Sequence, residues 1–269
     1  MSLRIQTNIE AFDAHRNLVN TQNQLATAMQ RLSSGFRINK AADDAAGLAI
    51  SEKLQAQIGG LGQAQRNAQD AVNLVQTGEG ALAEVQSMLQ RVRDLAVQYN
   101  NGTLATADQA AITAEVAQLC AEISDIGSQT SFNGISLLNG TTSITFQVGA
   151  NDGETLSVSK VDLFGNGKKV DSAIFTFSGT VTLASIDTAI QNVSDARATF
   201  GSVQNRLDHR LNNLATYQEN LSASESGIKN VDMASEMVTF TKLQILNQAG
   251  TAMLAQANTL PQSVLQLLR

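Results

Sequence analysis

Residues 193–228 read VSDARATFGSVQNRLDHRLNNLATYQENLSASESGI, and an apolar residue returns at every seventh place: Val193, Phe200, Leu207, Leu214, Leu221 and Ile228. A strand would alternate every second residue, whereas an unbroken seven-residue return belongs to a helix with one face buried against another helix. Five successive steps predict a long helix here. Working outward, Leu82, Val85, Leu89, Val92 and Ala96 carry the same stagger of threes and fours, as do Ile112, Val116, Leu119, Ile123 and Ile126. Between 11 and 36 the series Ala11, His15, Leu18, Gln22, Leu25, Met29, Leu32 and Phe36 has seam spacing, with His15 and Gln22 as polar members. Pro261 is the one proline in 269 residues, so no proline interrupts any of these helices.

The middle of the chain follows a different rule. Ile144, Phe146 and Val148 alternate with polar residues, Asn151-Asp152-Gly153 supplies a turn, and Leu156 and Val158 resume the alternation. That pattern predicts a β-hairpin. Residues 160–185, with Gly165-Asn166-Gly167 and the stretch from Ile174 to Val181, are expected to extend this β region. Helix character is expected to stop at Asn139-Gly140. Neither helical half can bury its stripe alone. The predicted fold is therefore mainly α: a long antiparallel helical coiled-coil bundle formed by the N- and C-terminal halves, with a small β-hairpin region in the middle.

Composition narrows the function. Aromatic residues are 4% of the chain and tryptophan is absent, so little of the ring surface that usually builds a pocket is available. Cys120 is the one cysteine, and His15 and His209 are the two histidines, which argues against disulfides, zinc sites and histidine catalysis. Asp43-Asp44 lacks the further carboxylates of a metal site, and reads as the N-terminal cap of a helix over Ala45–Leu54. Glycines 59, 60, 62, 78 and 80 form no phosphate loop and are expected to relax or break the helix. Sequons at Asn101, Asn139, Asn192 and Asn220 are common in Asn- and Thr-rich sequence and are read as unmodified. The reading is of no enzyme and no cofactor.

A net charge of −6 gives no nucleic-acid footprint, although residues 1–66 carry seven Lys/Arg against five Asp/Glu. No apolar run reaches the length of a membrane span, so no membrane insertion is expected. The polar start Met1-Ser2-Leu3-Arg4-Ile5 lacks the apolar core of a secretory signal, which by itself predicts a cytoplasmic protein. The C-terminal stretch places apolar residues at 246, 250, 253, 254, 257, 260, 264, 265 and 268, at helical spacing. Apolar stripes at both chain ends predict an interaction surface.

Several stretches are specific enough to carry a resemblance. Arg31-Leu32-Ser33-Ser34-Gly35-Phe36-Arg37-Ile38-Asn39 with Ala42-Asp43-Asp44-Ala45-Ala46-Gly47-Leu48-Ala49-Ile50 resembles the signature near the start of bacterial flagellins. Ile245-Leu246-Asn247-Gln248-Ala249-Gly250, Leu254-Ala255-Gln256-Ala257-Asn258 and Pro261-Gln262-Ser263-Val264-Leu265 are similar to the C-terminal signature of that family. Gln147-Val148-Gly149-Ala150-Asn151-Asp152-Gly153-Glu154 resembles its hairpin segment. Gly227 and Asn230 depart from the family, which often has arginine and aspartate there, and Gly78 sits in a helix where relatives avoid glycine. These weaken the expectation of a continuous helix and of an ion pair at 227 and 230.

The resemblance implies a short, two-layer flagellin that polymerises into the flagellar filament. By that analogy, residues 1–45 and 231–269 form an inner polymerisation domain of terminal helices. Residues 46–140 and 186–230 form a helical rod domain, and 141–185 are its small β insertion. It implies export through the flagellar apparatus, so that the location becomes extracellular and the cytoplasmic expectation falls. Implied partners are identical subunits, a secretion chaperone, the export gate, and the junction and cap proteins. The assembly interface is expected at Leu18, Leu25, Met29, Leu32 and Phe36, and at Leu246, Met253, Leu254, Leu260, Val264, Leu265 and Leu268. The segment Gln90–Gln98 resembles the one that Toll-like receptor 5 binds in many flagellins, which implies contacts at Arg91, Leu95, Gln98 and Glu115. Helical spacing puts Arg91, Leu95 and Gln98 on one face, apart from Val92 and Ala96. The alternative is a hook–filament junction protein or a minor flagellin that does not polymerise alone. O-glycosylation within 141–185 is a further expectation by analogy. A protease insertion is not expected, since 141–185 contain no histidine.

Overall fold

A computed structural model describes residues 8–163, 170, 177 and 182–267, with side chains to residue 259. Five helices carry the fold: α1 (Ile9–Ser34), α2 (Ala45–Tyr99), α3 (Thr106–Gln129), α4 (Leu183–Lys229) and α5 (Met233–Leu267). Between α3 and α4 lie two antiparallel hairpins, β1 (Ser131–Phe132) with β2 (Ile135–Ser136), and β3 (Ser143–Gln147) with β4 (Thr155–Ser159). The protein is mainly α, as its periodicity requires. The chain divides into two compact units, Met1–Ala56 with Leu221–Arg269, and Gln57–Asn220.

In the unit Gln57–Asn220 the predicted seams form the core. Leu82, Val85, Leu89, Val92 and Ala96 of α2 are at most 2% exposed, and Ile112, Val116 and Ile123 of α3 join them. Val193, Phe200 and Leu207 of α4 complete the cluster, and Leu214 is buried as well. Polar ties fix the antiparallel register of α2 and α4. Arg93 Nε donates to Asp187 at 2.6 Å, and Arg197 reaches Glu79 at 2.6 Å and Gln86 at 2.6 Å. Glycine does not break α2, contrary to expectation; the helix runs unbroken from Ala45 to Tyr99. Gly78 lies where a Cβ would stand 2.8 Å from Phe200 Cε2, and Gly60 where one would stand 3.1 Å from Ala150 Cβ. These glycines admit neighbours. Gly227 likewise leaves α4 continuous.

The helical stretch ends sooner than Asn139-Gly140. It stops at Gln129, and Asn133 (φ 49) and Gly134 (φ 78) turn the short β1–β2 hairpin in the conformation that Asn-Gly favours. The second hairpin forms where the alternation predicts it, with Ile144 opposite Val158 and Phe146 opposite Leu156. Its loop is closed from within: Val148 N donates to Glu154 O at 2.9 Å, and Gln147 Nε2 donates to the carbonyls of Gly149 and Asn151. Most of the predicted β extension over 160–185 lies outside the described residues. Within it, Val161, Leu163, Val170 and Phe177 are buried, Phe177 meets Tyr99 edge-on at 5.4 Å, and α4 already begins at Leu183.

Candidate assembly surface

The unit Met1–Ala56 with Leu221–Arg269 is built around the pairing of α1 with α5. Asn8 opens α1 twice over. Its Oδ1 accepts the Ala11 amide at 3.1 Å, and its Nδ2 donates to the Ala257 carbonyl of α5 at 2.8 Å. Gly35, at φ 75, closes α1 in the left-handed conformation that favours glycine, with its amide donating to Arg31 O at 2.9 Å. Asp44 caps α2 by accepting from Gly47 N at 2.8 Å, the role the sequence suggested, and Asp232 caps α5 through Ala234 N and Ser235 N. Two helix breaks therefore fall side by side. The chain after α1 pairs with the α4–α5 junction: Arg37 N donates to Lys229 O at 2.7 Å, Val231 N to Gly35 O at 3.0 Å, and Arg37 Nη2 to Ile228 O at 2.6 Å. Lys229 Nζ lies 4.9 Å over the Phe36 ring. Asn230 makes no ion pair of its own; its Nδ2 donates to Ser226 Oγ at 2.7 Å.

Burial corrects half of the predicted α1 seam. Leu18 is buried and Leu25 and Leu32 are half-buried, but His15, Gln22, Met29 and Phe36 are exposed. The other half of the buried stripe falls one residue earlier, at Ala14, Thr21 and Ala28, with Ala28 only 2% exposed. On α5 the covered residues are Glu236, Phe240, Leu243, Asn247, Gly250, Leu254 and Ala257, an unbroken alternation of fours and threes. Small residues, Ala14, Thr21 and Ala28 on α1 and Gly250 and Ala257 on α5, alternate with the larger ones where the helices approach closely. A Cβ on Gly250 would stand 3.2 Å from Leu18 Cδ1. On α1 the covered Ala14, Thr21 and Ala28 are small beside the larger Met29, so the apolar pattern misses them, whereas on α5 it includes Gly250, Leu254 and Ala257.

Further large apolar residues lie outside that seam. On α1, Phe12 is 68% exposed and Met29 53%. On α5, Met253 is 64% exposed and Val238 70%. Placed on a helical net, Met237 falls on one flank of the α5 seam, Leu246 and Met253 on the other, and Val238 and Ile245 opposite it. These apolar residues stand among polar ones such as Lys242, Gln244 and Gln248, so α5 carries more apolar surface than α1 covers. Beside the seam, α1 and α5 leave a groove of about 500 Å³ that includes Thr27, Ala28, Arg31, Lys242 and Leu246. Of the predicted interface residues, Leu18, Leu25, Leu32 and Leu254 belong to the α1–α5 seam, and Met29, Phe36, Leu246 and Met253 face outward. Leu260, Val264, Leu265 and Leu268 lie outside the described side chains.

The predicted receptor face is assembled differently from its reading. Arg91 and Glu115 meet across α2 and α3 in an exposed ion pair, Nη2 to Oε1 at 2.7 Å, and Gln98 is exposed. Leu95 does not share that face. It is 2% exposed, within the core beside Val92 and Ala96, because the α2 stripe is broad enough to take in both neighbours. Cys120 is buried too, and burial pushes its thiol up to about 12. No helix among the described residues is long and apolar enough to cross a membrane.

Comparison with known proteins gives this surface its context. Residues 5–143 match the bacterial flagellin N-terminal helical region, and residues 183–268 the bacterial flagellin C-terminal helical region. A flagellin of Halalkalibacterium halodurans is 51% identical over 98% of this chain and 99% of its own length. A Bacillus subtilis flagellin is 44% identical over 99% of this chain and 100% of its own. Flagellin FlaB1 of Treponema pallidum is 40% identical, at 98% and 99% coverage.

Proposed function

The chain belongs to the bacterial flagellin family, and on that premise we propose which of its surfaces join one subunit to the next. The protein is a structural subunit that self-assembles with identical copies into the extracellular flagellar filament, in a short form without large outer domains. A junction protein or a flagellin unable to polymerise alone is not favoured, given full-length relatives that are themselves flagellins.

The polymerisation surface is the outward apolar face of α1 and α5, carried by Phe12, Met29, Leu246 and Met253, with Phe36 just beyond the end of α1. Leu18, Leu25, Leu32 and Leu254 hold that face in shape by pairing the two helices, and Leu260, Val264, Leu265 and Leu268 continue the apolar pattern to the chain end. One observation supports this reading above the others: α5 exposes large apolar residues on both flanks and on its back, Met237, Val238, Ile245, Leu246 and Met253, beyond what α1 covers. Repeated heterologous contacts between such faces give an open helical polymer rather than a closed ring. Residues 1–45 with 231–269 then serve polymerisation, 46–140 with 186–230 form the supporting helical domain, and 141–185 its β insertion. The secretion chaperone, export gate, junction and cap proteins are partners by family analogy, and the chaperone is expected to cover the α5 face before export. Toll-like receptor 5 is a further proposed partner, with Arg91, Gln98 and Glu115 as contacts and Leu95 supporting them from beneath.

Electron microscopy of the purified protein, salted with ammonium sulfate or seeded with filament fragments, tests the assignment. Long tubes of uniform width are expected from the full chain. Removing 254–269, and with it the Leu254 and Ala257 end of the seam, is expected to leave a folded, soluble middle that cannot polymerise; filaments from that truncation would overturn the assignment.

A further inference from the structure

Methionine is concentrated where the helices face outward. Met29 on α1 and Met233, Met237 and Met253 on α5 are 53%, 48%, 49% and 64% exposed. Met88, the other described methionine, packs instead against the core of the unit Gln57–Asn220. Half-exposed thioethers are reachable by small oxidants, and oxidation turns a flexible apolar side chain into a polar one. These four sulfurs lie at the head of the α5 stripe, on both of its flanks and on the outer side of α1. A sulfoxide at any of them would put a strong dipole on a face that loses water when copies pack, and a buried polar group without a partner is costly.

We propose that Met29, Met233, Met237 and Met253 form a modification site, oxidised by hydrogen peroxide in the free subunit, and that their oxidation blocks polymerisation reversibly. Each sulfur lone pair attacks one peroxide oxygen. The S–O bond forms as the O–O bond breaks, the departing hydroxide takes the proton from the transferred hydroxyl, and water leaves. Sulfur gives up two electrons and peroxide accepts them. Polymerisation works in the opposite direction, because contacts that dehydrate the same face shield the sulfurs. This inference rests on the outward face being the polymerisation surface.

The test treats full-length subunit with hydrogen peroxide, quantifies sulfoxide at each methionine by peptide mass spectrometry, and then salts the protein into filaments. Untreated subunit is the separate control on the polymerisation reading. If it yields no filaments, that reading fails first. With the control polymerising, the four outer methionines are expected to oxidise several-fold faster than Met88. The concentration needed for filaments is expected to rise about tenfold, and methionine sulfoxide reductases A and B are expected to restore it. In filaments the same four are expected to oxidise several-fold more slowly than in free subunits. A variant carrying M29L, M233L, M237L and M253L is expected to polymerise after peroxide treatment. Oxidised wild type that polymerises as well as untreated protein overturns the inference. So does equal loss in the leucine variant, which would move the lesion to another residue. Should that variant not polymerise even untreated, rescue of oxidised wild type by the reductases decides: recovery supports the site, and no recovery sinks it.

Discussion

Gly78 of α2 packs against the Cε2 side of the Phe200 ring of α4, where a Cβ built on the glycine would stand 2.8 Å from Phe200 Cε2. Phe200 is 2% exposed and forms part of the heptad series of α4. Gly78 therefore leaves the space into which a core ring fits.

That relationship sets two effects against each other in Gly78→Ala. Alanine favours a helix interior by about 1 kcal/mol over glycine, but forcing a methyl group into a filled core typically costs about 1–3 kcal/mol. Overpacking is expected to win, because the ring is enclosed and cannot swing into solvent. The substitution should lower the thermal midpoint by a few degrees where helix propensity alone would raise it. Phe200→Leu in the same chain should recover part of the loss, with positive coupling in a double-mutant cycle. A more stable Gly78→Ala protein would show that the ring has room.

The paired helices allow a sharper separation of fold from assembly. Ala28 is 2% exposed inside the α1–α5 seam, and its neighbour Met29 is 53% exposed beside it. Ala28→Asp should break the pairing and reduce helical circular dichroism in the free subunit, since a buried unpaired carboxylate is destabilising by several kcal/mol or about that order. Met29→Asp should leave the circular dichroism and thermal midpoint within error while raising the concentration needed for filaments. Equal effects of the two on the free subunit would mean that Met29 is a seam residue after all.

How much of this was legible follows from what each residue contributes to a pattern. Val193, Phe200, Leu207 and Leu214 are large, apolar and buried, so their spacing alone located α4 and its core face. The α1 seam departs from the apolar spacing because its second stripe is Ala14, Thr21 and Ala28, while the larger Met29 sits on the face left open and Phe36 lies beyond the helix end. Large residues mark what water must be kept from, whether by this chain or by another copy, and a single sequence does not separate the two. Spacing alone puts Leu95 beside Arg91 and Gln98, whereas the broad α2 stripe buries it together with Val92 and Ala96. Asn133-Gly134 was a readable turn signal, but strands of two residues leave no alternation beside it. The terminal signatures and the second hairpin were legible because each carries several ordered residues.

Acid should loosen the loop between α1 and α2. The Asp43 carboxylate accepts from Lys40 N at 2.9 Å and Asn39 N at 3.0 Å, and these backbone donors hold it below its ordinary value of 3.8. A carboxyl lowered on folding contributes stability that is present above its unfolded value and lost as the pH falls through the folded one. Amide exchange at Asn39 and Lys40 should therefore stay slow near neutrality and accelerate, beyond the intrinsic pH trend, once the pH drops below 3.8. Asp43→Asn should remove that acid-dependent step. An unchanged exchange profile in the variant would mean that the two amides are protected by something else.

Cys120 tests whether the core of α2, α3 and α4 is closed around a reactive group. Its thiol is buried beside Val116 and Ile123, and burial alone pushes it up to about 12, so the thiolate is scarce at neutral pH. Thiol–disulfide exchange and alkylation both proceed through the thiolate and need access. Folded subunit at pH 8 should therefore react with an aromatic disulfide reagent at least about tenfold more slowly than the same chain in denaturant. The rate should follow opening of the core, so Gly78→Ala, which strains the Phe200 packing of the same core, should accelerate labelling more than Met29→Asp does. Rapid labelling of the native wild-type subunit would place the sulfur at the surface and contradict the packing of α3 against α2 and α4.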